Sequence, residues 1–165
     1  MAAGATYEPI ATTTLANSTT AEVTFSSIPS TYTDLVLVIA GKQQSATTVK
    51  LVFNGDTGTN YSYTRMNGNG SSVASERYSD QNNVPIAYGG TEWYNIITPI
   101  MNYSNTTTYK TLLSRSNPPT TFTMAYVGLW RSTSAINSIK ITTDNLSQTY
   151  FSSGSMLTLY GIAAA

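Results

Sequence analysis

Carboxylates are the acid–base groups on which any chemistry of this chain would depend, because the sequence holds no cysteine and no histidine. A glycosidase, for example, needs two carboxylates that face each other across a cleft. The acidic residues are scattered along the chain, and most of them stand beside turn-forming residues. Their spacing indicates turn, capping and surface roles, so we expect no enzymatic activity and no catalytic residue. The eight acidic residues are Glu8, Glu22, Asp34, Asp56, Glu76, Asp80, Glu92 and Asp144.

The missing residue types also exclude whole classes of site. A chain without cysteine has no disulfide, no thiolate nucleophile, no cysteine-based zinc site and no iron–sulfur cluster. A chain without histidine has no Ser-His-Asp triad and lacks the usual ligand of zinc and non-haem iron. We therefore expect no cofactor and no metal centre of these kinds.

One loop resembles a cation site. Residues 54–60 read Asn-Gly-Asp-Thr-Gly-Thr-Asn, and the side-chain oxygens of Asn54, Asp56 and Asn60 resemble half of a calcium loop. An EF-hand loop needs more acidic residues and a final glutamate, and both are missing here. Asn, Gly and Asp are also typical of tight turns, because they tolerate positive φ. The pattern favours a turn between two strands and leaves open whether the loop binds a cation.

Charge is low and balanced, with eight basic and eight acidic residues and 10% charged residues in all. A protein that follows a phosphate backbone needs a basic face, so we expect no nucleic-acid partner. No apolar run reaches the roughly 18 residues of a membrane span, and the first residues lack the basic segment of a signal peptide. We therefore expect no membrane partner and no secretion signal.

Alternation with a period of two runs through nearly the whole chain and predicts β-strands. Residues 35–39, Leu-Val-Leu-Val-Ile, form a continuous apolar run, which indicates a central strand buried on both faces. Residues 49–53 and 61–66 are expected to pair as a hairpin around the turn at residues 54–60. Residues 71–83 are polar, and we expect either a long loop or one irregular strand around Arg77 and Tyr78.

These segments predict an all-β fold, an antiparallel β-sandwich that is jelly-roll-like, with about eight to ten short strands. Pro99 is expected to interrupt the strand region of residues 93–103. We expect residues 1–20 to form an extended N-terminal arm and residues 21–165 to form a single β-sandwich domain.

Small uncharged polar residues and tyrosine are abundant, whereas charged residues are few. The 165 residues include 28 Thr, 20 Ser, 13 Asn and 12 Tyr. A free monomeric domain usually stays soluble through charge. At the cores of protein interfaces, by contrast, charged residues are depleted and tyrosine is enriched. This composition indicates a protein that is packed against neighbours in a large assembly.

Four segments resemble stretches that are common in structural proteins of tailed bacteriophages, especially marine and cyanobacterial phages. They are residues 25–39, 53–63, 129–139 and 157–162. The resemblance implies a structural virion protein at the particle surface. One branch is a capsid decoration (cement) protein, a homotrimer that binds the major capsid protein. The other is a tail-fibre tip, which contacts tail proteins and binds host-surface glycans.

Decoration is favoured, because the chain reads as a short unit with an extended arm and without a shaft, repeat or coiled coil. The arm is expected to lie on the capsid or on a neighbouring subunit by strand addition. The residues expected to dock are Tyr7, Glu8, Pro9, Ile10 and Leu15.

The glycan-binding alternative predicts exposed aromatic residues with polar neighbours at one end of the sandwich. Two loops, residues 67–83 and 89–94, are the best candidates for such a cluster. The residues expected to contact a glycan or a partner there are Arg77, Tyr78, Asp80, Trp93 and Tyr94.

Overall fold

The computed structural model describes residues 6–118, 122–144 and 151–163, and every regular element in these ranges is a β-strand. The β-branched residues that dominate the sequence explain this, because their side chains pack well on a pleated surface. The strands are β1 (Tyr7–Thr14), β2 (Glu22–Phe25), β3 (Asp34–Gly41), β4 (Thr47–Phe53), β5 (Tyr61–Gly68), β6 (Val73–Gln81), β7 (Val84–Gly89), β8 (Tyr94–Met101), β9 (Lys110–Ser116), β10 (Thr123–Trp130), β11 (Ile139–Thr143) and β12 (Met156–Ile162).

The strands form two antiparallel sheets that pack together, which confirms the predicted β-sandwich. The larger sheet has eight strands in the order β1-β12-β3-β8-β9-β10-β5-β6, and the smaller has four in the order β2-β11-β4-β7. A jelly roll has eight strands in two Greek keys, so sheets of eight and four leave that part of the prediction unconfirmed. Within the described ranges there is no helix that could span a membrane.

The core lies between the two sheets, where inward side chains alternate with outward ones along each strand. Leu35, Leu37 and Ile39 point inward from the larger sheet, and Leu51 and Ile141 point inward from the smaller one. All five are fully buried. Complete burial of such a side chain contributes about 1.5–3 kcal/mol, so this layer holds the sheets together.

The continuous apolar run predicted a central strand, and the structure confirms this. β3 lies between β12 and β8 and pairs with both of them over its whole length. Its inward side chains reach the core, while Val36 and Val38 on the other face are buried and half-buried. The run is therefore apolar on a second face that points away from the smaller sheet.

The predicted hairpin of residues 49–53 and 61–66 is wrong. β4 pairs with β11 and β7 in the smaller sheet, whereas β5 pairs with β10 and β6 in the larger one. The loop between them therefore crosses from one sheet to the other. Asn54 and Gly55 start this crossover with φ angles of 52° and 69°. It lets Phe53 and Tyr61 meet from opposite sheets, with ring centroids 6.3 Å apart.

The N-terminal segment is part of the sandwich, contrary to the predicted separate arm. β1 is an edge strand of the larger sheet and pairs with β12 from Tyr7 to Thr14. The residue that follows it, Leu15, is buried in the core, and its amide donates a 2.9 Å hydrogen bond to the carbonyl of Ser155. Backbone pairing and an apolar anchor thus bind residues 7–15 to their own domain. Residues 1–5 lie outside the described residues.

Of two further segments, one matches an alternative that the sequence left open and the other differs from the expectation. Of the two alternatives for residues 71–83, the strand is correct, since β6 spans Val73–Gln81 at the exposed edge of the larger sheet. β8 runs without interruption through Pro99. It pairs with β9 on either side of residues 98–99, so the sheet accommodates the missing N–H of the proline.

Candidate binding surfaces

The residues expected to form one glycan or partner cluster lie in two separate places. Arg77, Tyr78 and Asp80 belong to β6, whereas Trp93 and Tyr94 stand at the start of β8. β5, β10 and β9 lie between these two strands. Four strand spacings correspond to about 19 Å, so the two groups do not form a single site.

Tyr94 is buried, which corrects its expected place on the surface. Only 4% of it is exposed, and its hydroxyl donates a 2.7 Å hydrogen bond to Oε1 of the buried Gln43. Burial raises the pKa of the Tyr94 hydroxyl. Trp93 beside it is 51% exposed, with Lys42 Nζ 5.6 Å from its ring centroid. Of this pair, Trp93 alone is available to a partner.

The three residues on β6 point in different directions because the strand alternates. Arg77 pairs in register with Thr64 and lies on the face turned away from the smaller sheet. Tyr78 lies on the opposite face and stacks on Tyr63, with ring centroids 4.9 Å apart. Asp80 forms an exposed ion pair with Arg131 at 2.7 Å. These side chains cannot contact one ligand together.

Tyr78 belongs to a second group, which we call the tyrosine shelf: Tyr63, Arg65, Glu76, Tyr78 and Tyr126. Arg65 Nη2 lies 2.5 Å from Glu76 Oε2, and the Tyr78 hydroxyl donates to the same oxygen at 2.6 Å. Tyr63 lies between two rings, 4.9 Å from Tyr78 and 6.2 Å from Tyr126. Burial, followed by the neighbouring tyrosines, raises the pKa of Tyr63 to about 12.

A small pocket adjoins the shelf. Its volume is about 210 Å³, and Arg65 is common to both. Aromatic rings beside a guanidinium and an amide are suited to stacking on a ring and hydrogen-bonding its hydroxyl groups. The pocket is lined by Arg65, Asn67, Tyr88, Phe122 and Met124.

The most extended candidate surface is the outward face of the larger sheet, which we call the outer face. Antiparallel sheets that meet water usually present polar residues there. On β9 and β10, by contrast, Leu113 and Val127 are paired in register and are 41% and 46% exposed. Apolar side chains continue the face across five neighbouring strands, β3, β8, β9, β10 and β5. They are Val36, Val38, Ile97, Pro99, Met101, Leu113, Ala125, Val127, Leu129 and Met66.

Adjacent apolar pairs in the sequence are a signal that could have indicated apolar side chains outside the core. Ile96 and Ile97 are consecutive, as are Leu112 and Leu113. Successive strand residues point to opposite faces, so one member of each pair must lie outside the core. Only residues 35–39 were predicted to be apolar on both faces of their strand.

The outer face also carries two cations. Arg115 lies between Ile97 and Ala125 in the register of the sheet, and Arg77 lies beside Thr64. Neither arginine has an ion pair within the described part of the chain. An apolar groove of about 620 Å³ opens beside Arg115, with Met66, Val73 and Ala125 among its lining residues.

The loop that resembled a calcium site is organised by hydrogen-bond donors. Asp56 Oδ2 accepts from Trp130 Nε1 at 2.7 Å and from Asn60 Nδ2 at 3.0 Å, while Oδ1 accepts from the Gly58 amide at 2.9 Å. Burial alone would raise the pKa of Asp56, but these hydrogen bonds hold it below its ordinary value. In residues 6–118, 122–144 and 151–163, no three acidic side chains are grouped to hold a metal ion. The loop is a structural crossover.

The residues of the expected docking arm have mixed environments. Tyr7 is 58% exposed and packs edge-on against Tyr160 of β12, with centroids 6.2 Å apart. Glu8 Oε2 accepts a hydrogen bond from the Tyr32 hydroxyl at 3.1 Å. Pro9 is exposed, Ile10 is half-buried against the core, and Leu15 is inside it. Of these five residues, the exposed ones are therefore those at the start of β1.

Neither a protein-family model nor a curated protein matches this chain.

Proposed function

We propose that this protein is a structural virion protein of a tailed phage, a capsid decoration protein that binds the assembled head and stabilises it. It would act at the particle surface as a homotrimer, with the major capsid protein as its partner and without enzymatic activity. The observation that carries the proposal is the outer face, an apolar surface across five strands of the larger sheet. Low charge and the resemblance to phage structural proteins support it.

Covering the outer face would supply the driving force for binding to the assembled shell. Each Å² of apolar surface removed from water contributes about 25 cal/mol, and Leu113, Val127 and Met66 are each more than two-fifths exposed. A ligand that binds the assembled shell and not its free subunits stabilises the shell by mass action. A modest interface in each copy is enough, because several linked copies add avidity.

A closed trimer would use a second surface of the chain. Subunits in a ring meet through two different patches, so each outer face need not meet another outer face. The exposed start of β1, with Tyr7 and Pro9, is one edge available for such a contact. Analytical ultracentrifugation of the purified protein would give the number of subunits.

Copy number per virion tests the proposal directly, by quantitative mass spectrometry of purified particles. Decoration predicts a copy number comparable to that of the major capsid protein, together with lower shell stability when the protein is left out. A copy number typical of tail proteins would indicate that the protein belongs to the tail and not to the head. Its absence from particles would overturn the virion proposal altogether.

The second candidate function is that of a tail-fibre tip that binds host-surface glycans. The tyrosine shelf and its pocket support it, because Tyr78 is accessible and lies next to the Arg65–Glu76 ion pair. A glycan array with the purified protein tests it. Tyr78→Ala should abolish any binding, whereas Tyr109→Ala, at an exposed tyrosine outside the shelf, should leave it unchanged.

A further inference from the structure

We propose that the outer face binds an apolar, carboxylate-bearing polypeptide segment of the shell protein. The groove beside Arg115 would receive an apolar side chain of that segment, and Arg115 and Arg77 would pair with its carboxylates. This inference rests on the proposed function, and it specifies which surface docks and what chemistry the partner presents.

The groove supplies the shape for such a segment. Its volume of about 620 Å³ exceeds that of the pocket beside the tyrosine shelf, and it opens on the outer face. Met66 and Ala125 are paired in register and line the groove, and Val73, which also lines it, is 89% exposed. An apolar side chain placed there would cover residues that are now in contact with water.

The charges of the outer face supply the selectivity. Burying a guanidinium is unfavourable unless a partner neutralises it and accepts its hydrogen bonds. Arg115 lines the groove, and its planar, five-donor group suits a carboxylate in bidentate geometry. Arg77 provides a second cation on the same face, two strands from the groove residue Ala125. A docked surface without acidic residues would leave both charges uncompensated.

Most carboxylates of this chain are a poor source of that compensation, because they already have partners within one subunit. Four of them already form ion pairs within one subunit, namely Glu22 with Lys140, Glu76 with Arg65, Asp80 with Arg131 and Asp144 with Lys50. Asp56 accepts hydrogen bonds from Gly58 and Asn60 within its loop and from Trp130 of β10. Two outer faces related by a two-fold axis would also bring four unpaired arginines together. These facts favour a different protein over a second copy.

The first experiment uses head particles that lack this protein and the purified full chain. Wild-type protein should bind such particles saturably. Ala125→Glu, which places a carboxylate in the groove, and Arg115→Glu should each weaken binding at least tenfold. Lys140→Glu makes the same charge reversal on the outward side of the smaller sheet, away from the outer face, and should bind like the wild type. Thermal unfolding of each variant verifies that it is folded, as expected for substitutions outside the core.

The outcomes separate this inference from the function beneath it. If wild-type protein fails to bind the particles, the decoration proposal and the inference both fall. If wild-type protein binds and the two outer-face variants bind equally well, decoration stands and this docking surface is wrong.

A cross-linking experiment identifies the partner. Arg115→Lys preserves the charge and offers an amine that a carbodiimide joins to a carboxylate in direct contact. The inference predicts a cross-linked peptide between residue 115 and an acidic residue of the shell protein. A cross-link to a second copy of this chain would overturn it in favour of self-association. A particle-bound variant that gives no cross-link at residue 115 would also count against it.

Discussion

Trp130 Nε1 donates a 2.7 Å hydrogen bond to Asp56 Oδ2 and thereby ties the crossover loop to the end of β10. The indole also packs against Phe53 and Tyr61, which flank the loop, with centroids 5.6 and 6.3 Å away. The ring of Trp130 therefore packs against the residues at both ends of the loop. Its N–H holds the turn of the loop through a hydrogen bond to a charged carboxylate. This arrangement holds the passage from the smaller to the larger sheet.

Asp56→Asn should lower the free energy of unfolding by about 1–3 kcal/mol, because hydrogen bonds to a charged acceptor become weaker or mismatched. Urea unfolding at neutral pH measures the loss. Asp80→Asn is the matched control, since the exposed ion pair of Asp80 contributes only about 0–1 kcal/mol. Equal effects of the two substitutions would contradict the structural role of Asp56.

The stability of the wild-type protein should also fall in acid through Asp56. Its pKa in the folded state lies below the ordinary value, so its ionised form stabilises the fold above the unfolded pKa of about 3.9. That contribution is lost as the pH decreases further and the carboxylate is protonated. Urea midpoints between neutral and acidic pH should show a smaller decrease in Asp56→Asn than in the wild type.

Gly89→Ala should be strongly destabilising, while its neighbour Gly90→Ala should be nearly neutral. A Cβ at residue 89 would overlap Gln43 Oε1 and the Tyr94 hydroxyl, whereas a Cβ at residue 90 meets nothing within 4 Å. Overpacking of a core costs about 1–3 kcal/mol, and here it would also break the Tyr94–Gln43 hydrogen bond. Thermal melts of the two variants are a direct comparison, and a similar decrease for both would refute the packing explanation.

Alkaline pH should destabilise the protein through its buried tyrosines. Burial raises the pKa of Tyr63 to about 12, and the pKa values of Tyr61 and Tyr94 are raised as well. A raised pKa stabilises the fold below the unfolded value of about 10, and this contribution is lost as the pH rises toward the folded value. Ultraviolet titration should show tyrosines that ionise later in the folded protein than in urea.

Tyr63→Phe is the variant that checks this assignment. It keeps the stacked ring but removes the hydroxyl, so the loss of stability above pH ~10 should become shallower. Tyr109→Phe, at a 53% exposed position, is the control and should not change the slope. A Tyr63→Phe profile identical to the wild type would show that another group causes the alkaline loss.

Leu15→Ala should cost about 2–5 kcal/mol, because this side chain anchors the end of β1 in the core. Thr14→Ala, one residue earlier and exposed, should change stability by less than about 0.5 kcal/mol. Chemical unfolding of both variants measures the difference. If Leu15→Ala were as stable as Thr14→Ala, residues 7–15 would behave as the separate arm that the sequence suggested.

The sequence by itself determined the fold class and the positions of several strands. Alternation sets which side chains of a strand face inward, and the run at residues 35–39 correctly placed β3 at the centre of a sheet. It also marked the turn after Phe53, because Asn and Gly supply the positive φ angles that start it. These are properties of a few neighbouring residues, and they can be read locally.

Only the tertiary structure decided which strands pair and which surfaces result. β4 and β5 are neighbours in sequence but belong to different sheets, and Phe53 and Tyr61 on either side of the crossover pack against Trp130. The same long-range packing brought β1 into the larger sheet, buried Tyr94 and separated it from Tyr78. Strand order depends on contacts between distant residues, so local periodicity could not reveal that Leu113, Val127 and Arg115 share one face.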